Sequence, residues 1–206
     1  MMTKDRQYRT FLVETRALGE QLLVTGRALV FDQPAVVWEY DGVQYHEVIA
    51  AGALDGCRMD DVVLNVDHQG KPAAKTRNGT LRLEVRADGL YVEADLSRNA
   101  TGRELYDDIR AGFYDRMSYA FTVDEDGYDK ATRTRTIHRI ARLWDVSAVT
   151  FAAYEQTSIS ARSWAEAQRE LEAAEAAQAA EAARATEVAQ LETERLRHQI
   201  LLKAGR

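Results

Sequence analysis

Apolar and polar residues alternate in short runs along most of the first 150 positions of the chain. Residues 80–85 alternate cleanly, and residues 90–96 run back after the tight turn Ala87-Asp88-Gly89. The dipeptide Asp41-Gly42 between two β-rich runs is a second hairpin signal. An alternation with period two is typical of strands with one buried face. The pattern therefore predicts many short strands joined by tight turns.

Further strands are predicted on both sides of these hairpins. Residues 8–16 and 22–31 alternate, and residues 61–67 form a short apolar run that ends in Asp67-His68. Lys71-Pro72 follows and predicts a turn at that point. The pattern predicts strands at 117–123, 135–143 and 145–151. An acidic, solvated loop at 124–133 is predicted between the first two.

The period changes from two to that of a helix over residues 99–111. Asn99 or Thr101 is suited to cap its start, and Gly112 is suited to end it. One clear helix among many strands predicts a compact α+β domain, mainly β, over residues 1–160.

The composition shifts abruptly at Ser160. Residues 161–206 are dominated by Ala, Glu, Arg, Gln and Leu, with no proline and no glycine before Gly205. These are strong helix formers, so we expect one long C-terminal helix. Its apolar positions keep no sustained heptad, so the helix could pair with another without forming a regular coiled coil.

Charge and composition limit the function classes. The formal charge of −6 and the pI near 5.3 argue against a protein whose main task is to grip nucleic acid. The single cysteine, Cys57, allows no internal disulfide and suits a reducing compartment. The sequence shows neither a membrane-spanning apolar run nor a secretory signal. We therefore expect a soluble intracellular protein.

Three polar residues stand where chemistry could occur. His68 follows an apolar strand and precedes a break, Ser118 lies in the run Arg116–Phe121, and Asp145 interrupts the apolar run 143–146. Each alone is more often structural: a loop histidine, a strand serine, or a solvated carboxylate. A buried, unpaired carboxylate is costly, so Asp145 should face solvent or find a partner such as an imidazole.

Together the three residues contain the parts for nucleophilic acyl transfer. A serine hydroxyl needs an adjacent base near neutral pH, and histidine titrates in the right range. A third polar group would hold the imidazole in the correct tautomer. The remaining histidines and Cys57 show no spacing typical of metal ligands, so neither a metal nor a cofactor is predicted.

Six segments in order carry a resemblance to a known family. They are Gly26–Phe31, Glu47–Leu54, Val63–His68, Gly89–Ala94, Ile109–Gly112 with Met117–Phe121, and Asp145–Thr150. Over roughly residues 8–160 the chain resembles the prohead maturation proteases of tailed bacteriophages, relatives of the herpesvirus assemblins. The resemblance implies an antiparallel barrel wrapped by helices. It also implies a serine endopeptidase inside assembling proheads in the host cytoplasm.

The resemblance assigns roles residue by residue. His68 matches the general base and Ser118 the nucleophile, which should be exposed near the start of its strand. Asp145 falls where the family places a third member, usually Glu in phage proteins. His138 is the competing third member. Backbone amides after Asp145 are candidates for the oxyanion hole.

The implied substrates are the major capsid protein and a scaffold segment, with self-cleavage as a further expectation. No membrane or direct nucleic-acid partner is expected, whereas a homodimer or higher assembly is compatible with the terminal helix. Residues 161–206 are then a solvated tail, a scaffold-like or targeting segment, or a dimerising element. Two other functions stay open: a catalytically silent scaffold protein that uses the same fold, and a general esterase.

Overall fold

The computed structural model describes most of the chain, namely residues 6–12, 16–18, 22–150, 166–184, 186–187 and 190. The chain divides into two compact units, Met1–Arg162 and Ser163–Arg206. The boundary predicted at residue 160 lies outside the described residues.

The described part of the first unit is mainly β. Its strands and single α-helix are, in order, β1 (Gln7–Leu12), β2 (Arg16–Leu18), β3 (Leu23–Val30), β4 (Ala35–Tyr40), β5 (Val43–Ile49), β6 (Val63–Val66), β7 (Gln69–Lys75), β8 (Leu81–Arg86), β9 (Gly89–Asp95), α1 (Ala100–Ala111), β10 (Arg116–Asp129) and β11 (Thr134–Val149). One sheet has the order β1-β10-β11-β5-β4, with β6 joined to β11 and β7 to β6. The other has the order β2-β3-β9-β8.

The predicted antiparallel barrel is wrong, because neither sheet closes among the described strands. The long strand β11 carries two partners in succession: Thr134–Ile137 pair in parallel with β5, and Asp145–Ala148 pair in parallel with β6. The large sheet is therefore mixed and branches at β11. The β8–β9 hairpin joins β3 in the second sheet instead of extending the first.

Helix α1 has the predicted ends. The side chain of Asn99 accepts a hydrogen bond from the N–H of Gly102 at 2.6 Å, so Asn99 caps the start. Gly112 ends the helix with φ 82°, a left-handed conformation that glycine adopts without strain. The apolar face of the helix is buried through Leu105, Tyr106 and Ile109.

The predicted acidic loop 124–133 is mostly strand. β10 and β11 form one long hairpin whose connection is residues 130–133. Cross-strand ion pairs stabilise its polar part: Arg139 lies 2.7 Å from Asp124 and 2.9 Å from Glu125. This part of the hairpin has no apolar face, so its composition indicated a loop. The ion pairs between the two strands stabilise it instead.

The turn after β6 is also displaced from its predicted place. Pro72 lies inside β7, and the turn consists of Asp67 and His68. β7 pairs with β6 alone, so it is an edge strand, where the missing N–H of a proline costs no ladder bond.

A buried ionic cluster anchors β1 to the large sheet. Arg9 binds Glu47 through two hydrogen bonds of 2.5 and 2.6 Å, and Arg135 binds Glu47 at 3.1 Å and Asp126 at 2.5 Å. The side-chain oxygen of Gln7 accepts from both arginines, at 3.1 and 2.9 Å. We call these five residues the Arg9–Glu47 cluster. It joins β1, β5, β10 and β11 by charge pairs that are shielded from water.

The described part of the second unit is helical. Residues 166–184 form helix α2, whose side chains are largely exposed; Leu171, for example, is 55% exposed. A coiled coil finds no support there. Among the described residues, no helix is both long and apolar enough to cross a membrane.

The Arg9–Glu47 cluster gives a stability prediction. Glu47→Gln should lower the free energy of unfolding by about 3–5 kcal/mol, because two buried guanidinium groups lose their shared carboxylate. Urea unfolding followed by circular dichroism measures this change. The matched control is Asp124→Asn, which removes one of the two exposed carboxylate partners of Arg139 and should leave the free energy of unfolding almost unchanged. Equal effects of the two substitutions would contradict the role given to the cluster.

Candidate active site

Ser118 lies on β10 between two neighbouring strands. Its register partners are Thr10 on β1 and Ser147 on β11. Its Oγ is 2.7 Å from Nε2 of His68 and 2.8 Å from the backbone oxygen of Arg9. Ser118 is 1% exposed, so the prediction that it lies exposed near the start of its strand is wrong. Strands on both sides of Ser118 bury it, while His68 keeps 18% of its side chain exposed.

His68 reaches the site from the turn between β6 and β7. Asp67 and His68 have φ of 46° and 59°, both in the left-handed region. Positive φ at both central residues matches a two-residue hairpin turn with right-handed twist; it is uncommon for residues other than glycine, although Asp and His adopt it more often than most. The N–H of Asp67 donates to the oxygen of Ala148 at 3.0 Å and holds the turn against β11. The ring of Tyr8 packs edge-on against the imidazole, with 4.7 Å between centroids.

A β-bulge lies directly before Asp145 on β11. Ala120 is opposite Asp145, but the next residue, Phe121, is opposite Leu143, so Trp144 is an extra residue on β11. A bulge of this kind re-aims the side chains beside it. Asp145 shares a face with Ser118 because it is two residues from Ser147, the register partner of Ser118. The bulge instead turns Leu143 into the core, although Leu143 is also two residues from Asp145. β11 is thus one strand with several register irregularities, where the sequence predicted two segments.

The carboxylate completes a chain of hydrogen bonds. Oδ1 of Asp145 lies 2.5 Å from Nδ1 of His68. A carboxylate only accepts, so Nδ1 carries the proton and Nε2 presents its lone pair to Ser118. The single hydroxyl proton of Ser118 has two acceptors in reach, Nε2 and the Arg9 oxygen. When it points to Nε2, the imidazole is placed to take it as general base.

The structure thus brings His68, Ser118 and Asp145 together and leaves the other histidine candidate outside. His138 is exposed on the arm of the β10–β11 hairpin. It precedes Asp145 by seven residues on the same strand, which is roughly 23 Å of extended chain.

The amides after Asp145 do not fit an oxyanion hole. β11 is paired with β10 on one edge and, over Asp145–Ala148, with β6 on the other. The N–H groups of a strand paired on both edges face its neighbours. They are therefore not free to bind a developing oxyanion.

Two features of the site escaped prediction. Ser147 lies 3.0 Å from the carboxylate of Asp145, and Arg9 supplies the backbone oxygen beside Ser118. Strand alternation could have indicated Ser147, because residues two apart on a strand share a face. No local signal marks Arg9, whose partner Glu47 is far along the chain.

Other reactive groups are separate from this site. In the described parts of the chain, no group of three His, Cys, Asp or Glu residues could hold a metal ion. Cys57 is half-buried in the core, and burial raises the pKa of its thiol to about 11. At neutral pH the thiol is therefore protonated and a poor nucleophile.

Serine, imidazole and carboxylate linked in this order are the apparatus of a serine hydrolase. A family model described as caudovirus prohead serine protease matches residues 11–170. The chain belongs to that family.

Comparison with solved structures adds a relative of low identity. The capsid assembly protease gp21 of bacteriophage T4 is similar over 69% of this chain and 98% of its own, with 13% identity and a TM-score of 0.42. No curated protein matches the sequence.

The raised pKa of Cys57 gives a prediction about its reactivity. In the folded chain at pH 8 only about a thousandth of the thiol is ionised, so iodoacetamide should modify it slowly and leave activity unchanged. The rate should rise as the pH approaches 11. Mass spectrometry of the intact chain measures it. In urea the thiol regains an ordinary pKa near 8.5, and alkylation should be fast. Rapid alkylation of the folded chain at pH 8 would contradict the assignment.

Proposed function

We propose that this chain is a serine endopeptidase with Ser118 as nucleophile, His68 as general base and Asp145 as the group that orients His68. The observation that carries the proposal is the unbroken path of hydrogen bonds from Ser118 Oγ through the imidazole to Asp145, with steps of 2.7 and 2.5 Å. Membership in the prohead serine protease family supports the same reaction.

The reaction follows from these positions. Ser118 Oγ attacks the scissile carbonyl carbon while Nε2 of His68 takes the hydroxyl proton. His68 then gives that proton to the leaving amine, and an acyl-enzyme ester remains on Ser118. Water then attacks the ester while the same imidazole takes one of its protons; the bond to Ser118 Oγ breaks, His68 returns the proton to Oγ, and the new carboxyl terminus is released. Asp145 stabilises the imidazolium in both halves without taking its proton.

The shorter side chain of Asp145, compared with the family's glutamate, is offset by the fold. The register of β10 with β11 places Asp145 on the face of Ser118, and the turn at Asp67-His68 brings the imidazole to the carboxylate. Their contact of 2.5 Å supports a complete site. A catalytically silent scaffold would not need three groups held at bonding distance, so that alternative is not favoured.

We further propose that the substrates are the capsid and scaffold proteins of an assembling prohead in the host cell, and that the chain also cuts itself. The family description supports a role in the prohead. The T4 neighbour is described as a capsid assembly protease. Coexpression with the major capsid protein of the same virus provides the substrate for a direct assay.

The test of the nucleophile and base uses two alanine variants. Ser118→Ala and His68→Ala should each lower capsid-protein processing by roughly 10⁴-fold or more, because the residues act as a unit. Gel analysis of coexpressed capsid protein measures cleavage. A fluorophosphonate probe should label the wild-type chain at Ser118.

The matched control is His138→Ala, which removes an exposed histidine outside the site and should process normally. Unchanged processing by Ser118→Ala would refute the proposed nucleophile. Processing by His68→Ala at the wild-type rate would refute the base.

The second unit has a separate proposed role as a targeting segment for the prohead. The exposed, Ala- and Glu-rich surface of α2 supports contact with other proteins. A chain that ends at residue 170 keeps the whole family match. It should react with the fluorophosphonate at the wild-type rate yet be missing from purified proheads, as measured by immunoblot. Normal incorporation of the truncated chain would contradict this role.

A further inference from the structure

Ser147 occupies the buried space beside Asp145 and His68. Its Oγ lies 3.0 Å from Oδ1 of Asp145 and 3.2 Å from Nδ1 of His68, and the residue is 0% exposed. Ser147 follows Asp145 by two positions on β11, so both side chains lie on one face. Across the β10–β11 pair the same face carries Ser118, the register partner of Ser147.

The donors and acceptors in this group can be assigned. The proton on Nδ1 of His68 is directed at Asp145 Oδ1, the shorter contact at 2.5 Å. The hydroxyl of Ser147 has one proton, and the carboxylate is the stronger acceptor beside it. Ser147 therefore donates to the same oxygen. Asp145 Oδ1 thus receives two hydrogen bonds, one from the imidazole and one from the hydroxyl.

We propose that Ser147 is a positioning residue of the active site, which fixes the carboxylate of Asp145 and through it the orientation of His68. The inference rests on the proposed function. During catalysis the imidazole becomes positively charged, and its stabilisation depends on a carboxylate that does not rotate away. Asp145 is 2% exposed, so water is a poor substitute for the hydroxyl.

The backbone of Ser147 is suited to this task. Both of its neighbours are strands: it is opposite Ser118 on β10 and aligned with Asn65 on β6. Two ladders fix the backbone, so the position of Oγ depends on one side-chain torsion. Within the described part of the chain, the guanidinium of Arg6 is a further neighbour of the carboxylate, 4.0 Å from Oδ2. Ser147 is thus a short and rigid support for Oδ1.

The test uses Ser147→Ala in the full chain. The rate at which a fluorophosphonate probe labels Ser118, measured by mass spectrometry, should fall about 10- to 100-fold, the range expected for loss of a hydrogen bond to a charged group. In capsid-protein cleavage the loss should appear in kcat, with KM unchanged, because Ser147 is buried behind the reacting groups.

A spectroscopic measurement separates positioning from general structural support. The Nδ1 proton between His68 and Asp145 should give a low-field proton NMR resonance in the wild-type chain. Ser147→Ala should broaden or shift that resonance, because Asp145 loses its second donor. This measurement needs no turnover, and a purely structural serine would leave the resonance in place.

The chain contains a matched control in Ser97. Its Oγ donates to Asp95 at 2.6 Å, and the two residues are also two positions apart. This pair, however, is exposed and lies just before α1. Ser97→Ala should keep the wild-type labelling rate and the wild-type resonance. A loss in both variants would point to a general effect of removing a hydroxyl.

The outcomes separate this inference from the proposed function. Labelling at the wild-type rate together with an unchanged resonance in Ser147→Ala would overturn the role of Ser147, even if Ser118→Ala is inactive. Cleavage by Ser118→Ala would instead overturn the proposed function. If Ser147→Ala does not fold, Ser147→Cys fills the same space with a weak donor and should show the same slow labelling. A wild-type rate in that variant would also overturn the inference.

Discussion

The pairing of β10 with β11 is the constraint on which the site depends. It places Ser118 opposite Ser147, and strand alternation puts Asp145, two residues from Ser147, on the same face. A slip of one residue would move these side chains to opposite faces of the sheet. The parallel pairing of β11 with β6 then brings in the turn that carries His68. One strand, β11, therefore organises all three groups of the proposed triad: it carries Asp145 and pairs with the strands that position Ser118 and His68.

Several features of the fold are locally unfavourable, and tertiary contacts hold them in place. His68 adopts a left-handed backbone, Asp145 is a buried carboxylate, and the Arg9–Glu47 cluster removes several charges from water. Specific partners offset each cost. The N–H of Asp67 binds a backbone oxygen of β11, the imidazole binds the carboxylate of Asp145, and the guanidinium groups bind Glu47. The cluster also keeps β1 beside β10, with the Arg9 oxygen in contact with the nucleophile. Stability and chemistry therefore share the same strands.

The proposed mechanism and the family assignment agree on the class of reaction. The family model covers most of the chain. The geometry supplies what a family match does not: an imidazole between a hydroxyl and a carboxylate. It also accounts for an aspartate where the family usually has glutamate, because the pairing of β11 with β10 and β6 and the turn at Asp67-His68 bring the two partners into contact. Ser147 extends the proposed triad by one residue behind the carboxylate.

The sequence alone determined the features that depend on neighbours along the chain: the hairpin signals, both ends of α1, and the candidates His68, Ser118 and Asp145. Residue type makes these three suitable for acyl transfer, and the ordered resemblance to the protease family assigned their roles. The tertiary structure decided the rest. The branching of β11, the bulge at Trp144 and the Arg9–Glu47 cluster depend on pairs that are far apart in sequence. Local periodicity carries no information about such pairs, because strand register is set by packing between distant segments.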